Sequence, residues 1–306
     1  MTRSDVPRIA LVTATAARDL DDDLAPLSTA LAETGSDCSI VAWDDANADW
    51  AAFDLVLLRS PWDYTQRLPE FLDWLQRVAA QTMLLNPYEV VRWNTDKHYL
   101  SDLAAASVAI VPSAFVEPGE SAAAALDAFL AAHAQARELV VKPAIGAGSR
   151  DARRHARTDR AAALAHIDQL LCQGRSVLLQ PYLDRVDEQG ETALIFFDGV
   201  FSHAIRKGPL LRAGEDATRA LFATEHIVAR TPDAAELALA VRTLGAVPFA
   251  DPLLYARVDL IRAGDGAPCV LELELAEPSL FFATAAGSAA RFAQAIRRRI
   301  SKAASA

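Results

Sequence analysis

The chain has 306 residues, a hydrophobic content of 52%, a charged content of 23% and a formal net charge of −10. These values are typical of a globular protein with a sizeable core, and the acidic balance without a basic stripe argues against nucleic acid as the main partner. No run approaches the ~18 apolar residues of a membrane helix, no signal-peptide pattern is present and the three cysteines are scattered, so we predict a cytoplasmic protein without membrane contact.

The first ninety residues or so alternate strand-like and helix-like runs. The predicted strands are Arg8–Ala14, Cys38–Trp43, Asp54–Arg59 and Thr82–Leu85, and the predicted helices are Asp21–Thr34 and Gln66–Ala80. This alternation predicts a parallel sheet, in which ligands bind at the carboxyl ends of the strands. The stretch Arg59–Tyr64 lies at such an end and is a candidate substrate loop; a loop closed over a packed tryptophan is the alternative.

A lysine at the end of a strand marks the middle of the chain. The predicted strand ends at Lys142, the small-residue loop Ala144–Ser149 follows, and a returning strand is predicted over Arg150–Ala156. Gly146 and Gly148 allow backbone N–H groups to approach an anion closely, although an ordinary hairpin loop has the same composition. The spacing fits neither the P-loop nor the dinucleotide-binding glycine fingerprint.

Other elements of this region surround that loop. Asn94 is a predicted N-cap of a helix that carries Lys97, although a lone helical lysine usually belongs to a solvated face. The remaining predicted elements are the strands Val108–Val111 and Ser176–Gln180 and the helices Ser121–Ala136 and Asp159–Cys172.

Asp198-Gly199 is a two-residue hairpin signal between the strands Glu191–Phe197 and Val200–Lys207. Counting outward from this turn places Glu191 opposite Arg206 and turns Lys207 to the other face. Residues 208–230 are polar and long for a loop, which favours a lid or binding segment. Helices are predicted over Asp233–Gly245 and Gly287–Ile300.

The second hairpin signal, Asp265-Gly266, lies within Tyr255–Ser279. Counting outward places Asp259 opposite Glu272 and Arg257 opposite Glu274, so these four side chains share one face. The other face would carry core residues, namely Val258, Leu260, Leu271, Leu273 and Leu275. Three carboxylates on one face repel one another unless a cation lies among them, and oxygen ligands suit Mg²⁺ or Mn²⁺. A solvated polar face is the alternative.

The order of these motifs resembles the ATP-grasp superfamily in its glutathione-synthetase-like branch. The matching stretches are Asn94–Lys97, Val141–Pro143 with its loop, Gln180–Leu183, the Glu191 hairpin, Arg257–Asp259, Glu272–Glu274 and Glu277–Ser279. The resemblance covers roughly residues 87–300. It implies an α/β (α+β) fold with an N-terminal parallel α/β pre-ATP-grasp domain (1–93), a central subdomain (94–183) and a C-terminal antiparallel-sheet subdomain with the metal site (184–306).

The resemblance also implies a role for each candidate residue. The ATP-binding set would be Lys97, Lys142, Gly146, Gly148, Ser149, Gln180, Tyr182, Leu183 and, for the ribose, Glu191 or Asp187. The metal set would be Asp259, Glu272 and Glu274 around two Mg²⁺ ions, with Glu274 standing where the family commonly has Asn. Arg257 and Arg206 would stabilise charge during catalysis, and the substrate set would be Ser60, Trp62, Asp63, Tyr64, Glu277 and Ser279.

The function implied is an ATP-dependent ligase that phosphorylates a carboxylate and joins the acyl phosphate to an amine, releasing ADP and phosphate. Several stretches resemble the cyclo-ligases of antibiotic biosynthesis that form D-cycloserine from O-ureido-serine, so we expect an amino-acid-like small molecule as the substrate. The alternatives are an intermolecular amide or dipeptide ligase, a nucleotide-binding protein without chemistry and, from the N-terminal alternation alone, a nicotinamide oxidoreductase. Relatives of this kind are often dimers, but no apolar stripe identifies an interface.

Overall fold

The computed structural model describes residues 6–211 and 226–304, which form three sheets with helices packed on them. The strands are β1 Arg8–Thr13, β2 Asp37–Ala42, β3 Leu55–Ser60, β4 Met83–Leu85, β5 Ala114–Val116, β6 Glu138–Pro143, β7 Arg153–Ala156, β8 Val177–Pro181, β9 Glu191–Phe197, β10 Val200–Lys207, β11 Ile227–Arg230, β12 Tyr255–Arg262 and β13 Pro268–Glu274. The helices are α1 Leu24–Glu33, α2 Leu68–Ala79, α3 Tyr88–Asn94, α4 Tyr99–Ala105, α5 Ala122–Ala132, α6 Arg160–Cys172, α7 Arg185–Gln189, α8 Ala234–Gly245 and α9 Ser288–Ala304.

The first sheet has the order β2-β1-β3-β4 and is parallel throughout, as predicted. Its central strands are apolar on both faces because helices cover both. One face forms a core with α1, α9 and residues of β9 and β12, and the other forms a core with α2. The N-terminal sheet therefore shares a hydrophobic core with the C-terminal part of the chain.

The second sheet has the order β5-β8-β6-β7 and is antiparallel, with α5 and α6 on one face. The predicted strand Val108–Val111 is wrong: the strand of this region is β5, which begins after Pro112. Ile110 makes only an isolated bridge to Val270 of β13. The apolar run reflects burial of Val108 and Val111 rather than membership of a sheet.

The third sheet has the order β11-β10-β9-β12-β13 and is antiparallel. Its strand β11 lies in the segment predicted to be an irregular loop, and the part of that loop between residues 212 and 225 lies outside the described residues. In the part of the chain that the structure describes, no helix is long and apolar enough to cross a lipid bilayer.

Beyond the backbone bridge at Val270, side chains instead of another strand bond the open edge of β13 and the residue that follows it. The Asn94 amide donates to the Leu273 carbonyl at 2.8 Å and accepts from the Leu275 N–H at 2.6 Å, and the Tyr99 hydroxyl accepts from the Leu273 N–H at 2.9 Å. The N-cap prediction for Asn94 is therefore wrong, because Asn94 is the last residue of α3. Lys97 lies in the short connection between α3 and α4.

Both predicted hairpins are present, and a bulge shifts the register in each. In β9–β10 the extra residue is Ser202, so Glu191 pairs with Lys207 and Thr192 pairs with Arg206. In β12–β13 the turn is longer than predicted, but an extra residue at Leu271 restores the predicted pairs of Asp259 with Glu272 and Arg257 with Glu274.

Candidate active site

A cavity of about 560 Å³ opens between the second and third sheets and extends to the end of β3. Most of the predicted site residues line it, namely Trp62, Tyr64, Lys97, Lys142, Gly146, Gly148, Ser149, Gln180, Tyr182, Leu183, Glu191, Arg257, Glu272, Glu274, Glu277 and Ser279. The predicted residues outside its wall are Ser60, Asp63, Asp187, Arg206 and Asp259. One cavity thus collects residues that lie more than two hundred positions apart in the chain.

One end of the cavity is an apolar slot. Tyr182 and Leu183, which follow β8, lie across from Ile261 and Leu271, and Val111 completes the cluster. Sequence reasoning assigned Leu271 to the core face, but the bulge in β13 turns it toward the cavity. A slot of this kind can hold a planar aromatic base, while the backbone between the second and third sheets offers polar groups to its edge.

Two lysines form a basic wall beyond this slot. Lys97 donates to the Gly146 carbonyl at 2.7 Å and forms a salt bridge with Glu272 at 2.9 Å. Lys142 makes no salt bridge within the described residues, and burial lowers its pKa to about 8. A partly buried ammonium group without a salt-bridge partner favours an anionic ligand beside it, because the anion would offset the desolvation of its charge.

The loop between β6 and β7 faces these lysines. The Arg175 guanidinium holds its base through a 2.7 Å salt bridge to Asp151. Gly148 has a φ of 61° and Ser149 a φ of 58°, so the backbone turns through the left-handed region where the loop borders the cavity. Successive N–H groups in such a turn can form an anion-binding concavity.

Lys207 occupies the position that sequence reasoning gave to Arg206. The Lys207 ammonium lies 2.6 Å from the Asp259 carboxylate and 2.9 Å from the Glu191 carboxylate, and all three side chains are almost fully buried. Arg206 points away from this cluster and donates to the carbonyls of Gln189 and Glu188 at 2.6 and 2.8 Å. The cause is the extra residue Ser202, because a shift of one residue reverses the face of every side chain beyond it.

Arg257 joins the remaining carboxylates of the third sheet. Its guanidinium donates to both oxygens of Asp259, at 2.9 and 3.0 Å, and to Glu274. It also donates to the Ser279 carbonyl at 3.2 Å. Asp259, which is 1% exposed, therefore lies behind Arg257 and Lys207, while Glu272 and Glu274 border the cavity.

The predicted metal ligands offer only oxygen donors, which suits Mg²⁺. Each is paired with a basic side chain, and among the described residues no group of three acidic, His or Cys side chains is arranged as a metal site. Burial raises the pKa of Glu274 to about 8. The basic side chains around it therefore do not fully offset the free-energy cost of burying its negative charge. A cation added beside Glu272 and Glu274 would supply that compensation, and on this ground the donor set fits Mg²⁺.

Three of the predicted residues that lie outside the cavity wall have other partners. Asp187 forms a 3.1 Å salt bridge with Arg154 and accepts from the Tyr182 hydroxyl. Asp63 accepts from the Trp43 indole N–H at 2.8 Å, and the fully buried Ser60 donates to the Thr13 hydroxyl at 2.9 Å. These contacts hold the ends of the first sheet and of α7 in place.

The opposite end of the cavity is small and polar. Tyr64, which is 3% exposed, lies beside the Glu277 carboxyl, and burial raises the pKa of Glu277 to about 7. The wall continues through residues that sequence reasoning did not assign to the site, namely Leu20, Asp21, Asp22, Asp23, Phe281, Ala283 and Thr284. The sequence did contain a signal for the acidic run at residues 21–23. It follows the parallel strand β1, and residues that follow such strands lie at the ligand-binding edge of the sheet.

Comparison with known proteins gives a consistent set of likenesses. Residues 9–86 match the family model for the N-terminal domain of D-cycloserine synthetase DcsG. The cycloserine biosynthesis protein DcsG of Streptomyces lavendulae is 43% identical over 296 residues, which cover 95% of this chain and 98% of that protein. The crystal structure of D-cycloserine synthetase DcsG superposes with a TM-score of 0.91 at 42% identity, covering 96% of this chain and 99% of that one.

A more distant likeness concerns the fold alone. The ATP-grasp ligase PsnB, solved in complex with a precursor variant, Mg and ADP, has a TM-score of 0.64 at 16% identity, covering 95% of this chain and 98% of that one.

Proposed function

The chain belongs to the family of the cycloserine biosynthesis protein DcsG, within the ATP-grasp superfamily, and on that premise we propose that it closes O-ureido-D-serine to D-cycloserine through an acyl phosphate. As a member of this family it is an ATP-dependent ligase that forms a carbon–nitrogen bond. The observation that carries the proposal is a sequence identity of 43% that extends over 98% of a cycloserine biosynthesis protein. The likeness includes residues 9–86, which contain the candidate substrate loop.

We propose that ATP binds in this cavity, because the side chains along the cavity match the successive parts of the nucleotide. The adenine would lie in the apolar slot beside Leu183 and Leu271, and the ribose near Glu191. The phosphates would lie between Lys97, Lys142 and the loop between β6 and β7. Binding of this anion would restore the full charge of Lys142 and so remove the free-energy cost of burying it.

We propose that the three carboxylates of β12 and β13 bind the metal. Glu272 and Glu274 would bind from the cavity wall, and Asp259 would join them if Arg257 and Lys207 give up one of its oxygens. Mg²⁺ supplies neutralisation of phosphate charge and orientation of the transferred phosphoryl group. We propose two ions, and Mn²⁺ suits the same oxygen ligands.

The protein's own groups would then act on the carboxylate of the substrate. Arg257 lies between the carboxylate cluster and the Tyr64–Glu277 end, so its guanidinium would stabilise the negative charge that develops on the acyl phosphate and the tetrahedral intermediate. Lys207 replaces Arg206 as the second cation of this set. Burial of these groups keeps water out and strengthens each electrostatic contact.

The test is Mg²⁺-dependent release of ADP with O-ureido-D-serine, with its L enantiomer and with no acceptor, followed by mass analysis of the product. We expect release with the D enantiomer alone and D-cycloserine as the product. A longer product that contains a second amine would instead identify an intermolecular ligase. Nucleotide binding without ADP release under all three conditions would contradict the ligase proposal.

A further inference from the structure

The stretch from Ala276 to Phe282 is held by an unusual set of hydrogen bonds. Four successive carbonyls accept from four different side chains, Ala276 from Tyr255 at 2.7 Å, Glu277 from Trp62 at 3.1 Å, Pro278 from Arg59 at 2.8 Å and Ser279 from Arg257 at 3.2 Å. The next three N–H groups donate to the Asp23 carboxylate, from Leu280 at 2.6 Å, Phe281 at 3.0 Å and Phe282 at 2.9 Å. The backbone is thereby fixed from both sides.

This fixation costs free energy elsewhere. Arg59 is fully buried, and its Nε and Nη1 atoms have no hydrogen-bond partner among the described residues. Phe281 has a φ of 53°, a left-handed conformation that is strained for an aromatic residue. Buried unsatisfied donors and backbone strain persist where the surrounding structure enforces them, and they concentrate at functional sites. The stretch therefore serves to position side chains at the cavity: Glu277, Ser279 and Phe281 line its wall, and Glu277 is the carboxylate among them.

Glu277 differs in its partners from the two carboxylates of β13 that line the cavity. Glu272 is paired with Lys97 and Glu274 with Arg257. Within residues 6–211 and 226–304, Glu277 makes no salt bridge, and the neighbouring group that acts most strongly on its pKa is the neutral hydroxyl of Tyr64. The charged groups that act on it from further away are Lys97, Arg257 and Glu272. Of these three carboxylates, Glu277 is the one that no salt bridge holds in its charged form, so it is the best able to exchange a proton with a bound molecule.

The proposed reaction needs such a group. In O-ureido-serine the nitrogen that must attack the acyl carbon belongs to a urea, so it is not basic and carries its proton into the attack. General-base assistance by a positioned carboxylate is the usual solution for a weak nucleophile. The backbone carbonyls around Glu277 are far too weakly basic to take this proton, whereas a carboxylate is basic enough.

We propose that Glu277 is the general base of ring closure, a role that rests on the function proposed above. As the urea nitrogen bonds to the acyl carbon, its proton passes to the Glu277 carboxylate. The tetrahedral intermediate then collapses, the bond from carbon to the phosphate oxygen breaks and phosphate leaves with the electron pair. Water then hydrolyses the bond between the ring nitrogen and the carbamoyl carbon: the nitrogen keeps the electron pair and takes a proton, and the carbamic acid released decomposes to CO₂ and NH₃. Burial raises the pKa of Glu277 toward neutrality, which suits a group that must accept a proton and return it to solvent.

The experiment separates phosphorylation from ring closure with hydroxylamine, which converts an acyl phosphate to a hydroxamate without help from a base. Purified Glu277→Gln is compared with Glu277→Asp, with the wild-type protein and with Glu89→Gln, an exposed carboxylate on α3, after thermal melts confirm that each is folded. We expect hydroxamate formation from O-ureido-D-serine in Glu277→Gln to equal or exceed that of wild type, because the acyl phosphate no longer cyclises rapidly, while D-cycloserine formation falls by about 10²–10⁴-fold. Glu277→Asp should recover part of the ring closure, and Glu89→Gln should behave as wild type.

Two other outcomes overturn the proposal in distinguishable ways. Equal loss of hydroxamate and D-cycloserine in Glu277→Gln, or retention of both, would refute the role of Glu277 and leave the ligase function intact. Absence of both hydroxamate and D-cycloserine in the wild-type protein with O-ureido-D-serine and ATP would refute the proposed substrate chemistry and the role of Glu277 with it.

Discussion

The bulge at Ser202 reverses the faces of Arg206 and Lys207, and this predicts different effects of substituting the two residues. If the register is as observed, Lys207 is the cation of the buried cluster and Arg206 is a peripheral residue that bonds two carbonyls of α7. Lys207→Met and Arg206→Met remove one positive charge each from adjacent positions, so each variant is a matched control for the other. We expect Lys207→Met to be the damaging change.

The magnitude follows from burial and from the partners that remain. The side chains of Lys207, Asp259 and Glu191 are 5%, 2% and 10% exposed, and removal of one partner from a buried ionic pair costs about 3–5 kcal/mol. Arg257 still compensates Asp259, so we expect the lower end, about 3 kcal/mol. With an unfolding entropy of about 0.6 kcal/mol/K for 306 residues, this corresponds to a fall in Tm of about 5 °C.

Arg206→Met loses hydrogen bonds at a half-buried site, worth about 1 kcal/mol or about 2 °C. In the ADP-release assay we expect Lys207→Met to lose about 10²-fold in turnover, the scale of removing one preorganised charge-stabilising donor, and Arg206→Met to stay within about 3-fold. A larger loss of both Tm and turnover in Arg206→Met than in Lys207→Met would refute the register and the assignment of Lys207.

Three further predictions concern other residues of the site. Lys142→Met should abolish turnover yet raise Tm at pH 7, because the folded-state pKa of Lys142, near 8, lies below its value in the unfolded chain. The stability of the wild-type protein should then rise between pH 8 and about 10.5, as Lys142 loses its proton in the folded state. A difference in Tm between Lys142→Met and wild type that fails to narrow over this range would contradict the burial argument. Asn94→Ala should cost about 2–4 kcal/mol in thermal melts, since the buried Leu273 carbonyl of β13 and the buried Leu275 N–H just after it lose their partners; a loss near 1 kcal/mol would instead match a helix cap. Glu272→Gln should raise the Mg²⁺ concentration for half-maximal turnover by at least about 10-fold, and near-full turnover at unchanged Mg²⁺ would exclude Glu272 as a ligand.

The sequence predicts most elements and fails where an extra residue enters a strand. The turn at Asp198-Gly199 and both strands beside it were correctly predicted, but nothing in the alternation of β10 reveals the bulge at Ser202. At the second hairpin the longer turn and the bulge at Leu271 cancel, so the pairing of Asp259 with Glu272 was right although the register near the turn was off by one residue. Bulges depend on twist and on packing across the sheet, which a local pattern does not record.

Long-range hydrogen bonds were the second limit. Asn94 resembles a helix cap in sequence, yet its amide bonds to residues 179 and 181 positions away. Asp23, which holds three N–H groups of the Ala276–Phe282 stretch, lies more than 250 positions from them. Local propensity cannot predict such contacts, since the tertiary fold alone brings the partners together. The cavity residues that were predicted came from motifs whose spacing is local to one hairpin or loop.

The central claim is that the substrate carboxylate is phosphorylated, and an isotope experiment tests it directly. O-ureido-D-serine labelled with ¹⁸O in its carboxylate is turned over with ATP and Mg²⁺, and the released phosphate is analysed by mass spectrometry. Because the acyl phosphate retains one carboxylate oxygen on phosphorus when it is attacked at carbon, we predict one ¹⁸O atom in each phosphate formed. Phosphate that carries no ¹⁸O, released together with the cyclised product, would contradict the acyl-phosphate mechanism.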